Sequence, residues 1–555
     1  MDDVIGVLQS CKVQIGVIVG VLALLVIALI ACRKMKKSQK FLIRSQSVIA
    51  AVLAILVTAN TVCFGPMSTL ISLATGNGTV SEKTAEEAKE VAQQVAEEGF
   101  VLLKNDDSFL PLQNISKLNL FGWAASNPVY GGSGSGGINQ LYEIVSLQKG
   151  IEDAGFEVNQ ELLDFYSAYT SDRPEMSIQK QSWTLPEPPV STYSQEMIEN
   201  AKNFSDTAVI VISRAAGEGQ NDMPMDMSQA KYDDNSPDYK DFEAGEHYLQ
   251  LSQSEKDMVN LVCENFENVV VVLNVGGIID TKFFDEIDGL DSMLLMSQAG
   301  MTGGDALVEV LNGTVNPSGK LTDTWPVNFD DNPSSEGFAN QDGNTAQELY
   351  NDDIFVGYRY YDTFGVDVSY PFGYGGSYTS FAMSTKSVKA DKDKVTVQVK
   401  VKNTGTVSGK EVAEVYFSAP DGELDKPYQE LAGYAKTDEL APGESQILTI
   451  SFDTKEMGSY DTDKAAYVME DGDYIIRVGN SSRNTHVAAK LNVAEDTITE
   501  QYSNLMVPVT ENDNIENSDK YPTLEPMTTE GATSITYDGE ANEIAAAKTI
   551  EVDFT

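Results

Sequence analysis

The chain has 555 residues, 42% of them hydrophobic, enough for two or three domains with buried cores. Its formal net charge of −46 argues against nucleic acid as a partner, because phosphates would be repelled over most of the surface. Such an acidic excess suits a secreted or surface-displayed body.

The charge is uneven: Lys12, Arg33, Lys34, Lys36, Lys37, Lys40 and Arg44 crowd the amino-terminal part and frame two apolar segments, residues 13–32 and 48–64. The first matches the roughly 20 residues that a membrane-spanning helix needs, and the second sits at the short end of that range. Residues 1–75 are therefore expected to form a membrane anchor of two transmembrane helices. By the positive-inside rule the basic loop 33–44 stays cytoplasmic. That puts the chain on the cell membrane with its globular part extracytoplasmic. A cleaved signal peptide is the competing reading, although the first segment is long for such a peptide and its basic residues follow it.

Of the four cysteines, Cys11, Cys32 and Cys63 lie in or beside these segments, leaving Cys263 as the only thiol of the globular part. No internal disulfide can form there. The pattern around Cys263 is helical, which predicts a buried, inert thiol. His247 and His486 have no companion at metal-ligand spacing, so neither a metal site nor a cofactor is expected.

Residues 83–98 carry apolar and small residues at helical spacing and predict an amphipathic helix. From there apolar runs at 118–121, 208–212, 269–275 and 293–296 alternate with helical patterns at 141–154, 252–264 and 303–311. That alternation predicts an open α/β sandwich with a mainly parallel sheet over residues 82–380. Residues 171–194, rich in Pro, Ser and charge, read as an irregular loop.

The run Ala208-Val209-Ile210-Val211-Ile212 leads directly into Ser213-Arg214-Ala215-Ala216-Gly217-Glu218-Gly219. In open α/β sheets ligands bind beyond the carboxyl ends of the strands, and two flanking glycines let the backbone turn sharply so that Glu218 projects outward. The alternative is a solvated loop carboxylate, one of 84 acidic residues. Asp222 and Asp226 read as solvated loop charges. The glycine-rich stretch Gly131 to Gly137 is a flexible turn, a ligand loop at Ser135, or a phosphate cradle; the Lys-Ser/Thr of a P-loop is missing.

Past residue 381 the texture changes to period-two runs at 394–401 and 447–452 and a further apolar run at 474–478, separated by Asn403-Thr404-Gly405 and Ala441-Pro442-Gly443. These predict an immunoglobulin-like β-sandwich over residues 381–497. Residues 498–555 are read as an acidic linker or tail, because their later part is polar, acidic and poor in aromatics. Tyr358, Tyr360 and Tyr361 read as a plug between domains, with a sugar platform as the alternative.

Several blocks together resemble glycoside hydrolase family 3. Glu98-Gly99-Phe100-Val101-Leu102-Leu103-Lys104-Asn105 looks like the entry to that family's α/β-sandwich domain, and Gly132-Ser133-Gly134-Ser135-Gly136 like its glycine-rich loop. Ser213 to Gly219 is similar to the loop carrying its general acid/base. Asn316-Pro317-Ser318-Gly319-Lys320-Leu321, Gly357-Tyr358-Arg359-Tyr360 and Phe372-Gly373-Tyr374-Gly375 are also characteristic, and Gly376 departs from the leucine expected there. Gly405 to Tyr416 and residues 440–445 resemble its fibronectin type III-like domain. The resemblance covers residues 82 to 497 in order.

The resemblance implies a retaining, β-glucosidase-like hydrolase of O-glycosyl bonds, acting on a carbohydrate substrate, with Glu218 as general acid/base and Ser135 hydrogen-bonding a sugar hydroxyl. It also implies a (β/α)8 barrel carrying the nucleophilic aspartate, which needs about 200 residues or more and does not fit in this sequence. The barrel is then expected in cis or in trans, with the chain inactive by itself. A non-catalytic, membrane-tethered carbohydrate-binding or scaffold protein is the alternative.

Overall fold

A computed structural model describes residues 12–65, 81–132, 136–138, 144–171, 187–214, 216–217, 241–335, 350, 352–505 and 533–536. The chain divides into two compact units, residues 1–88 and 89–555.

The first unit holds helices α1 (Lys12–Ala31) and α2 (Lys37–Cys63), each long and apolar enough to cross a membrane. The basic stretch between them is shorter than the sequence implies. Lys37, Lys40 and Arg44 already lie on α2 rather than in a loop. Lys and Arg are good helix formers, and their long stems can carry the charge away from an apolar helix, so charge does not delay helix initiation.

The second unit begins within α3 (Glu82–Gly99), at Lys89. It continues through strands β1 (Val101–Asn105), β2 (Lys117–Phe121), β3 (Glu157–Val158), β4 (Thr207–Arg214), β5 (Asn268–Val275) and β6 (Ser292–Leu295). They form one sheet in the order β1-β6-β5-β4-β2-β3, parallel except where β1 runs antiparallel to β6. β4 is buried along its whole length and β5 at all but its first residue. Continuous apolar runs, rather than alternating ones, are what a strand covered on both faces requires.

The intervening helices are α4 (Trp123–Ser126), α5 (Leu147–Asp153), α6 (Gln160–Thr170), α7 (Gln195–Phe204), α8 (Gln253–Asn265), α9 (Phe283–Glu286) and α10 (Gly303–Leu311). The helix expected over 141–154 starts only at Leu147, because Ser146 caps it with its hydroxyl accepting from Lys149 N at 3.1 Å; residues 141–143 are outside the described set. α5 and α10 approach closely through glycines. A Cβ on Gly150 would lie 2.4 Å from the Gly304 carbonyl carbon, and one on Gly304 would lie 2.4 Å from the Ser146 carbonyl oxygen.

Cys263, on α8, is half-buried rather than fully buried, and burial still pushes its thiol up to about 12. An inert thiol follows, because the thiolate is the reactive form.

Strands β7 (Trp325–Pro326) and β8 (Val368–Tyr370) pair antiparallel, and the short helix α11 (Tyr358–Thr363) lies between them in sequence. The tyrosines of α11 sit at the junction with the β-rich part. The Tyr358 ring lies 4.9 Å from Phe372 and 6.0 Å from Tyr416, and its hydroxyl accepts from Leu431 N at 2.8 Å. Buried Asp362 accepts from Arg483 Nε at 2.9 Å across the same junction. At Gly376 the chain donates its N–H to Leu102 O at 2.8 Å. A Cβ there would come within 3.0 Å of that oxygen, so glycine permits the close approach.

The β-rich part contains β9 (Phe381–Ala390), β10 (Lys394–Asn403), β11 (Val412–Ser418), β12 (Glu430–Lys436), β13 (Ser445–Asp453), β14 (Ser459–Asp461), β15 (Ala466–Met469), β16 (Gly472–Gly479), β17 (Thr485–Val493) and β18 (Thr497–Gln501). One sheet runs β13-β10-β9 and a second β12-β11-β16-β17, the two enclosing a core that includes Val397, Val399, Val415, Phe417, Ile476 and Val478. β14, β15 and β18 form a separate three-stranded sheet. Residues read as tail are not all irregular: β19 (Thr533–Thr536) pairs parallel with β17. Backbone pairing along an open strand edge places this polar segment, which composition alone could not reveal.

Candidate active site

The carboxyl ends of β4 and β5 are joined by the register Ser213↔Asn274 and Arg214↔Val275. Fully buried Asn274 uses both ends of its amide there. Its Nδ2 donates to Val129 O at 2.8 Å and Ser297 O at 2.7 Å. Its Oδ1 accepts from Val129 N at 2.7 Å and Ser213 Oγ at 3.0 Å. One side chain thus fixes the segments that follow β2, β5 and β6 against the end of β4. An unpaired buried amide would be costly, so this set of bonds specifies one arrangement of the loops.

Three segments converge just beyond. Gln298 Nε2 donates to Ala216 O at 3.1 Å. A Cβ on Gly276 would fall 2.5 Å from Ala216 Cβ, and one on Gly132 would fall 2.9 Å from Ala216 O and 3.5 Å from Gly217 Cα. The glycine-rich loop and the loop after β4 therefore meet backbone to backbone, a contact that a side chain at Gly132 would wedge open.

Arg214 closes β4. It is 3% exposed and bonds Glu255 in bidentate fashion, Nη1 to Oε1 at 2.6 Å and Nη2 to Oε2 at 2.7 Å. Its remaining N–H groups reach the carbonyls of Tyr248 at 2.8 Å, Gln250 at 2.7 Å and Ser213 at 2.9 Å. Glu255 belongs to a capping box with Ser252 at the start of α8. Asp241 docks on the same turn, its carbonyl accepting from Gln253 N and its Oδ1 from Ser254 N, each at 2.8 Å. Residues 214 and 241, the two ends of the segment that contains Glu218, are thus anchored on one helical turn.

A third carboxyl, Glu187, lies buried nearby and accepts from Trp123 N at 2.8 Å. Burial, reinforced by Glu255 and Asp241, holds Glu187 well above the usual carboxylate range. Burial likewise pushes Asp241 up to about 6. Neighbouring carboxyl groups cannot all carry charge cheaply in a low-dielectric site, so Glu187 favours the protonated form and Asp241 takes up a proton more readily than a free aspartate.

Glu218 and Ser135, the residues to which sequence reading assigns chemistry, lie outside the described residues, as do Asp222 and Asp226. Of the two loops, the described residues Ala216 and Gly217 on one and Gly132 on the other lie together beyond the carboxyl ends of β4 and β5. Asn274 and the Arg214–Glu255 pair were not singled out by sequence; the Ser252-to-Glu255 capping spacing was the one available signal. Among the described residues no group of three or more His, Cys, Asp or Glu side chains is placed to hold a metal ion. A hollow of about 680 Å³ lined by Lys117, Asn203, Phe204 and Asn268 lies at the opposite, amino edge of the strands.

Residues 100–378 match the glycosyl hydrolase family 3 C-terminal domain, and residues 411–482 match the fibronectin type III-like domain. Beta-glucosidase A of Butyrivibrio fibrisolvens is 37% identical over 448 residues, covering 76% of this chain and 53% of that protein. A beta-glucosidase of Ruminococcus albus is 37% identical over 430 residues, covering 76% of this chain and 42% of that protein. Among solved structures, beta-glucosidase 3B from Thermotoga neapolitana in complex with glucose superposes with a TM-score of 0.64 at 35% identity, over 75% of this chain and 55% of that one. The chain spans about half the length of the curated relatives it matches.

Proposed function

The chain belongs to glycoside hydrolase family 3, and from that premise we propose that it is one part of a retaining, β-glucosidase-like enzyme. In this reading residues 82–380 and 381–497 are its two globular domains. Glu218 is the general acid/base and Ser135 contacts a sugar hydroxyl. The nucleophilic aspartate comes from a barrel supplied in cis or in trans.

The observation that carries the reading is the contact between Gly132 and Ala216-Gly217 at the carboxyl edge of the sheet. It supports a reading in which the two loops that contain Glu218 and Ser135 serve one site, built on a frame that Asn274 and Arg214 make rigid. Retention requires a second carboxyl group about 5–5.5 Å from the first. Glu218 protonates the leaving oxygen as the aspartate attacks the anomeric carbon. The same group then takes a proton from the water that releases the sugar.

The two apolar helices and the cations between them support a tether that leaves both domains outside the cell. The test of the half-site is direct. The purified full chain is expected to leave an aryl β-glucoside intact and to gain turnover when the barrel is supplied. Robust turnover by the chain itself, with contaminating glycosidase excluded, overturns the assignment.

A further inference from the structure

The small sheet β14-β15-β18 has two unlike faces. One buries Ala466, Val468 and Ile498 in a compact cluster. The other carries three tyrosines in a row. Tyr460 and Tyr467 stand directly opposite each other in the β14–β15 register, and Tyr502 follows β18, its N–H bonded to Ala465 O at 2.8 Å. The three residues are 37%, 39% and 48% exposed, where burial of a tyrosine body would ordinarily be favourable. Their centroids step by 5.2 Å from Tyr460 to Tyr467 and by 6.0 Å from Tyr467 to Tyr502.

From this ladder we propose a binding platform for a single uncharged glycan chain, separate from the Glu218 edge and independent of the hydrolase reading. Each step is close to the length of one pyranose residue along a β-linked chain, so successive sugar rings meet successive tyrosines. Neighbouring rings are inclined by 62° and 75°. They cannot all lie under one flat surface, which selects a twisted, soluble chain over a crystalline face.

Polar side chains lie beside the row. Tyr460 Oη donates to Asn504 Oδ1 at 2.7 Å, and Asn504 Nδ2 donates to Thr462 O at 2.7 Å. The nearby charges include the pairs Lys455–Glu500 at 3.5 Å and Lys464–Asp461 at 2.8 Å together with exposed Glu456 and Asp463, and Glu500 stands across from Tyr467. The surroundings of the row thus carry more negative than positive charge, on a chain of net charge −46, which repels an anionic polymer and leaves a neutral polyol as the complementary occupant.

The experiment is affinity electrophoresis of the detergent-solubilised full chain through gels containing hydroxyethyl cellulose, a neutral soluble β-glucan, or polygalacturonate, an anionic polymer. Retardation is expected only with the neutral polymer. Tyr467→Ala, which removes the central ring, should weaken it about tenfold, as expected for losing one well-stacked ring and its buried area. Tyr467→Phe should retain most of it. Tyr502→Ala, outside the strands, gives a second reading should Tyr467→Ala fail to fold. Glu218→Gln should leave retardation unchanged, so a failed hydrolase assignment does not decide this one. No retardation by the neutral polymer, or retardation indifferent to both alanine variants, overturns the proposal. So does a self-association seen by sedimentation that Tyr467→Ala abolishes.

Discussion

The Arg214–Glu255 pair holds the end of β4 on the first turn of α8, so replacing Glu255 by Gln should loosen the frame of the site. The variant keeps the side-chain volume and one acceptor, but deprives a guanidinium that is 3% exposed of its paired carboxylate, leaving it an amide, three carbonyls and the Tyr248 ring among its partners. Breaking one partner of a buried pair costs about 3–5 kcal/mol. The lower end applies here, because Glu255 also raises Asp241 and Glu187, and its removal lets those carboxyls ionise more readily as partial compensation. The expected loss is therefore about 3 kcal/mol, or a fall of roughly 1 M in the urea midpoint. Tryptophan fluorescence reports it selectively, since all three tryptophans precede residue 381 and both Trp123 and Trp325 are 1% exposed. Replacing both partners by Met should not restore wild-type stability, because the carbonyls of Ser213, Tyr248 and Gln250 lose their donor. A loss below about 1 kcal/mol in Glu255→Gln, or full recovery in the double variant, would refute the clamp.

Three further outcomes follow from the same reasoning. Gly304→Ala puts a Cβ 2.4 Å from Ser146 O and 2.7 Å from Val145 O, backbone atoms that cannot turn aside, and should cost about 2 kcal/mol in the same fluorescence titration; a neutral result contradicts the close α5–α10 approach. Glu414, pushed up to about 7 chiefly by burial, binds a proton in the folded state between its ordinary value of 4.5 and that point, so stability falls as pH rises through this window. Glu414→Gln should match wild type at pH 4 and melt higher at pH 8 by calorimetry, with up to about 3 kcal/mol gained; an unchanged pH slope rejects the assignment. Protease added to intact cells should remove the bulk of the chain after residue 64, whereas protection of residues 80–500 would contradict the proposed topology.

What was legible in the sequence was whatever local pattern dictates. β4 and β5 are apolar without interruption because both their faces are covered, and β10 alternates because one of its faces meets solvent. α6 and α7 are not legible in the sequence although Asn159 and Ser194 cap them, because weak local signals compete with the loop character of their surroundings. Asn274 and Arg214 were illegible for a different reason. Their partners lie 145 and 41 residues away in sequence, and a buried amide or guanidinium reveals its role only once those partners are in place. The tyrosine row escaped notice because register, which sequence does not display, aligns Tyr460 with Tyr467.

The central claim is that Glu218 is the proton donor of a retaining hydrolase, and Glu218→Ala in the barrel-containing enzyme tests it most directly. Loss of the acid should slow an unactivated disaccharide far more than glycosylation by a dinitrophenyl glycoside, whose leaving group departs with little proton assistance. Azide should restore turnover of the activated substrate and yield the β-glycosyl azide, because a small anion entering the vacated space needs no base. A disaccharide rate within about threefold of wild type, a barrier change of only about 0.7 kcal/mol, would instead make Glu218 a surface carboxylate.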